Sequence, residues 1–203
     1  MDKDSTFKTR LTLLEKIKDQ YNDGAWGDFV YYYRNYIYGI IKRMNLSDDD
    51  AQEVVQMVLI KLWTDLPEFK YSPGKGRFRG WLCAITGNTV KNYLRDYKNR
   101  FVSLDPDQEI PEIQPGITLF TPPEIETIAE EEWADYLPKL AWKNIKEQFN
   151  EMMDKLFKMM HEGKSNNEIA KTLDTSVDNV YVYKQRIREK LRPEMEKLTK
   201  ELG

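Results

Sequence analysis

Residues 76–100 read GRFRGWLCAITGNTVKNYLRDYKNR, and they set two aromatic side chains among arginines before a run of Asn, Lys and Arg. The spacing predicts a helix from about Phe78 to Tyr97. Leu82, Ile85, Val90 and Leu94 fall on a core face, while Asn88, Lys91, Asn92, Arg95 and Asn99 recur at i, i+3, i+4, i+7 and i+11 on another. A solvated helix face needs the charges and not the aromatics, and a core needs the reverse. A surface that binds opened nucleic acid uses both, rings for stacking on bases and cations for phosphates. Phe78 and Trp81 equally suit a buried anchor for the helix.

Working outward, the charge is unevenly distributed. Residues 70–100 carry eight Lys or Arg against one acid, Asp96, whereas residues 101–138 carry ten acids and no base. The formal net charge of -3 conceals this division. A basic block beside an acidic segment suits a polyanion-binding surface with a neighbour able to screen it.

Upstream, WGDFVYYYRNYIYGIIKRM (26–44) and LSDDDAQEVVQMVLIKLWTDL (46–66) both show helical apolar spacing. Ser47 or an adjacent Asp caps the second, Asp48 to Asp50 complement its positive end, and Leu66-Pro67 closes it. A shorter helix is expected over Thr6 to Tyr21. Downstream, five prolines lie between Pro106 and Pro123, so residues 101–132 are expected to form an extended acidic linker. The remainder is helical again. Ile169, Ala170 and Leu173, a short turn, then Val177, Val180, Ile187 and Leu191 fit a helix-turn-helix, with Asp174 where the turn requires a left-handed residue.

Catalytic classes find no support. One Cys and one His far apart in sequence offer no zinc cluster or Cys/His pair, and no phosphate-cradling glycine loop is present. No cofactor or metal is expected, and the chain does not read as an enzyme. The lone cysteine, the lack of a long apolar run and the polar N-terminus lead to the expectation of a cytoplasmic protein without membrane insertion.

The ordered set of segments resembles bacterial RNA polymerase sigma factors of the extracytoplasmic-function (ECF) type. DDDAQEVVQMVLIKLW with GRFRGWLCAITGNTVKNYLRD resembles their second conserved region, and GKSNNEIAKTLDTSVDNVYVYKQRIREKL resembles the fourth. The resemblance implies an all-α fold of two small helical domains, residues 1–100 and 133–203, joined by the linker at 101–132. It implies a transcription initiation factor that binds core RNA polymerase, directs it to promoter DNA and helps melt the duplex. Asp50, Glu53, Gln56 and Trp63 would contact the polymerase. Arg77, Phe78, Arg79, Trp81, Asn88, Lys91, Asn92, Arg95 and Lys98 would meet the downstream promoter element, with Asn88 holding an unstacked base. Asn179, Tyr181, Val182, Gln185, Arg186 and Arg188 would meet the upstream element, although Tyr181 and Val182 depart from the family's usual residues. An anti-sigma protein is a further candidate partner. The competing reading is an autonomous helix-turn-helix regulator, which leaves the basic-aromatic stretch unexplained.

Overall fold

The computed structural model describes residues 13–19, 22–68, 78–104 and 120–202, with side chains in the third stretch described as far as Tyr97. Every element among them is helical: α1 (Asp23–Arg43), α2 (Asp48–Asp65), α3 (Phe78–Leu104), α4 (Pro122–Ile145), α5 (Glu151–His161), α6 (Asn166–Thr172) and α7 (Val177–Leu202). The chain divides into two compact units, the first ending at Ala134 and the second spanning Asp135–Leu202.

In the first unit, α1 is started by Asn22, whose side chain accepts from the Ala25 N–H, and carries Lys42 and Arg43 in its last turn. Both features complement the helix dipole. Its buried face comprises Ala25, Phe29, Tyr33, Tyr36, Ile37, Ile40 and Ile41. Ser47 caps α2 by accepting from the Asp50 N–H, and Ala51, Val54, Val55, Val58 and Leu62 turn inward. Against these pack Phe78, Leu82, Ile85, Val90 and Leu94 of α3. Leu14 and Ile17 are buried as well. They come from the end of the short N-terminal helix expected at 6–21, whose first half lies outside the described residues.

Two boundaries differ from the sequence reading. Helix α3 runs to Leu104 rather than ending near Tyr97. Residues 122–132, expected as linker, are the start of α4. The prolines begin this helix instead of forbidding it. Pro122 stands at the first helical position, where its missing N–H costs nothing. Glu124 accepts from both the N–H and the hydroxyl of Thr121, at 2.6 and 2.7 Å. Those bonds hold its carboxyl below the usual range.

The second unit is centred on Trp142, whose ring stacks on Phe157 at 4.4 Å and on Phe149 at 5.0 Å. Its indole N–H donates to Asp154 at 2.8 Å. Ser165 and Glu168 form a reciprocal cap at the start of α6. Between α6 and α7, Asp174 adopts φ of 48°, the left-handed conformation the turn needs. The Thr175 N–H returns to the Ala170 carbonyl at 3.0 Å. Ser176 then starts α7, accepting from the Asn179 N–H at 3.1 Å.

Candidate nucleic-acid interface

Helix α3 sorts its residues sharply. Asn88, Asn92 and Arg95 are exposed and Lys91 is half-buried, whereas Leu82, Ile85, Val90 and Leu94 are buried. Thr86 and Thr89 are also buried, and each hydroxyl donates to the carbonyl four residues earlier, at 2.8 Å. Their polar atoms are satisfied within the helix, so the face they belong to packs as apolar surface. The stripe of donors is therefore presented by a helix fixed along its other side.

The two aromatic candidates part company. Phe78 is fully buried, edge-on to Phe29 at 6.0 Å and to Tyr33 at 5.4 Å. Its expected role in stacking on a base is thereby corrected. Burying such a ring stabilises the fold by about 1.5–3 kcal/mol, and extracting it also leaves a cavity. A gain of about 1–3 kcal/mol from base stacking does not offset both. Trp81 is only half-buried, 5.6 Å from Phe78, and keeps open ring surface.

Arg79, also expected at the downstream element, is buried as well. It is 6% exposed, with its guanidinium 4.5 Å over the Trp133 ring and 3.7 Å from Glu130. Nearby, the Tyr36 hydroxyl, whose pKa burial raises, donates to the Ala129 carbonyl at 3.0 Å. In this conformation Arg79 is turned to Trp133 and Glu130 and away from solvent. Its burial depends on residues more than fifty positions away, which no local pattern reveals. Arg77 lies outside the described residues, as does the side chain of Lys98.

On α2 the expected contacts also divide. Asp50 is half-buried and committed: it accepts from the Ser47 hydroxyl at 2.6 Å and from the Tyr93 hydroxyl at 2.5 Å. Tyr93 reaches Glu53 at 3.3 Å as well. Burial, then the bond to Asp50, raise the Tyr93 pKa. Asp50 is thus a joint between α2 and α3 rather than a free contact. Trp63 is half-buried and edge-on to Trp26 at 4.9 Å. Glu53 and Gln56 are exposed, and with them stand Met57 and Ile60, the latter 67% exposed. The sequence reading missed these two. Their positions off the buried rows of α2 were the available signal, since an apolar pair on a solvent face asks for a partner.

In α7, Val180, Ile187 and Leu191 are buried. Asn179, Tyr181, Val182, Gln185, Arg186 and Arg188 are all exposed. Asn179, Val182 and Arg186 form one row and Tyr181, Gln185 and Arg188 the next. Tyr181 is 61% and Val182 48% exposed. Gln185 donates to Glu189 at 2.9 Å. Lys184 donates to Asn166 at 2.6 Å, tying α7 to α6, and burial lowers its pKa.

Among the described residues no group of three His, Cys, Asp or Glu side chains could hold a metal ion. No helix among the described residues is long and apolar enough to cross a membrane.

Comparison with known proteins agrees with this division. Residues 29–100 match the family described as Sigma-70 region 2. Residues 153–194 match that of bacterial regulatory proteins, luxR family. The chain is 34% identical over 86 residues to an ECF RNA polymerase sigma-E factor of Haemophilus influenzae, covering 42% of this chain and 43% of that protein. It therefore spans less than half the length of that relative. These matches, with an all-helical architecture among the described residues and a helix-turn-helix in the second unit, support an ECF-type sigma factor.

Proposed function

We propose that the protein is a non-catalytic transcription initiation factor that binds core RNA polymerase, directs it to particular promoters and helps open the DNA. The observation that carries this reading is the stripe of Asn88, Lys91, Asn92 and Arg95 on a helix whose opposite side is buried. Opening a duplex costs unstacking and unpairing, a few kcal/mol for each extruded base. A protein offsets that cost only by holding the separated strand better than the duplex. In this reading the Asn88 amide hydrogen-bonds an unstacked base, the open side of Trp81 stacks on a neighbour, and Lys91 and Arg95 hold phosphates.

The other surfaces take complementary roles. Glu53, Gln56, Met57 and Ile60 form the polymerase-binding face, with an apolar centre and polar rim. In α7, Gln185 gives up its bond to Glu189 and reads a base edge, Val182 and Tyr181 supply apolar contact such as a thymine methyl accepts, and Arg186 and Arg188 hold phosphates.

Reconstitution with purified core polymerase tests the assignment: the complex should start transcription at a defined subset of promoter fragments that core alone ignores. The match of residues 153–194 to a regulator family favours one other reading, a helix-turn-helix regulator acting without polymerase. Sequence-selective duplex binding by the free protein, with no binding to core, would establish that alternative instead.

A further inference from the structure

The first half of α4, Pro122 to Ala134, packs within the first unit across α1 and α3 by an unusual set of contacts. Its buried apolar row is Ile125, Ala129 and Trp133, with Ile128 half-buried beside it. Beneath that row the receiving helices carry glycines. A Cβ on Gly87 of α3 would stand 2.5 Å from Ile125 Cδ1, and one on Gly39 of α1 would collide with the Glu132 carboxyl. Two backbone carbonyls of α4 accept bonds from below, Ala129 from the Tyr36 hydroxyl at 3.0 Å and Ile125 from the Cys83 thiol at 3.3 Å. Acids complete the contact: Glu131 and Glu132 pair with Arg43 at 3.2 and 2.7 Å, and Glu130 lies 3.7 Å from Arg79.

Arg79 is the weak member. Its Nε and Nη1 are buried without a hydrogen bond, and a buried guanidinium left partly unsatisfied opposes the packing that buries it. The docked segment thus gathers three carboxylates onto two arginines and holds one of them in a poor environment. Fixed structural helices bury apolar rows and leave their cations in water. This one buries a cation, Arg79, along with its apolar row.

We propose that residues 122–134 are a reversible cover over a phosphate-binding surface on α1 and α3. Docked, their carboxylates stand in for phosphates at Arg43 and Arg79; undocked, they release both arginines to the DNA backbone. The inference rests on the reading of α3 as a DNA-facing helix and adds to it Arg43 and the means of withholding both arginines.

Cys83 provides the readout. It is the chain's one cysteine, 2% exposed beneath Ile125, with a thiol that burial, Glu126 and Glu130 push up to about 11. Opening the cover uncovers it. The experiment follows modification of Cys83 by a thiol reagent in the full chain, with global stability measured in parallel by urea. Glu130 is left untouched, because neutralising it would itself activate the thiol. The variants are Glu131→Gln with Glu132→Gln, which loosen the Arg43 pair, and Gly39→Ala, which displaces Glu132 while favouring helix α1. Both should react at least about threefold faster than wild type without loss of global stability, the size expected for half-exposed ion pairs. Both should also bind a mixed-sequence duplex more tightly at low salt, and that duplex should speed modification of the wild type. Modification only at the rate of global unfolding, unchanged in the variants, would overturn the proposal. Faster modification without tighter DNA binding would overturn the phosphate role of Arg43 and Arg79. The core-polymerase assay does not involve Cys83, so failure of the initiation reading would be seen separately.

Discussion

The Tyr93 hydroxyl of α3 donates to the Asp50 carboxylate of α2 at 2.5 Å, and Asp50 in turn accepts from the Ser47 hydroxyl that caps its own helix. One carboxylate thereby fixes both the start of α2 and the rotation of α3 about its axis. The exposed stripe of α3 points where it does partly because of this bond.

Tyr93→Phe should therefore lower stability by about 1.5–3 kcal/mol, the range for a hydrogen bond to a charged acceptor. Urea unfolding followed by circular dichroism measures it. Asp50→Asn, which retains the shape of the cap, should cost less at the cap than at the Tyr93 bond. Its effect and that of Tyr93→Phe should be strongly non-additive in a double-mutant cycle.

Ile60→Glu places a charge at the centre of the apolar pair on α2 without touching the core. Core polymerase binding should fall by at least about tenfold, as for a central interface residue, while thermal stability stays within about 0.5 kcal/mol. A co-sedimentation titration with core polymerase measures the first and calorimetry the second.

In α7 the two kinds of contact should separate. Arg186→Ala should weaken binding to all duplexes alike and reduce the slope of log affinity against log salt by about 1. Gln185→Ala should instead change which sequence is preferred, at a cost of about 1–3 kcal/mol on the best site. Competition between a selected site and a scrambled one, at several salt concentrations, distinguishes them.

The second unit should be acid-sensitive through Asp154. Its bonds to Lys158 and to the Trp142 indole lower its pKa in the folded state. The stabilisation is thus fully present above the unfolded carboxyl pKa of about 3.9 and is lost as pH falls through the lower folded value. The Trp142 indole N–H resonance should hold its position down to about pH 4 and then shift. Asp154→Asn should abolish that step.

Much of this arrangement was legible in the sequence because it is local. Ser47 as a cap, the inward rows of α1 and α2, and the left-handed Asp174 each follow from a residue and its near neighbours. Other features were legible but overlooked. Phe78 lies four residues before Leu82 on the buried row, and Thr121-Pro122-Pro123-Glu124 is a helix start rather than a linker. Arg79 belongs to neither group. Its burial beneath Trp133 and beside Glu130 arises only when α4 folds back onto α3, and a pattern within one helix contains no information about that return.

The central claim is that α3 captures a separated strand, and thymine reactivity toward permanganate on a promoter fragment tests it most directly. Core polymerase with the wild-type chain should render a short run of thymines reactive upstream of the start site. Asn88→Ala should bind core polymerase normally and lose that reactivity by about tenfold or more, the equivalent of one good base contact. Equal reactivity with the variant would contradict the account, because the strand would then be held without the residue assigned to hold it.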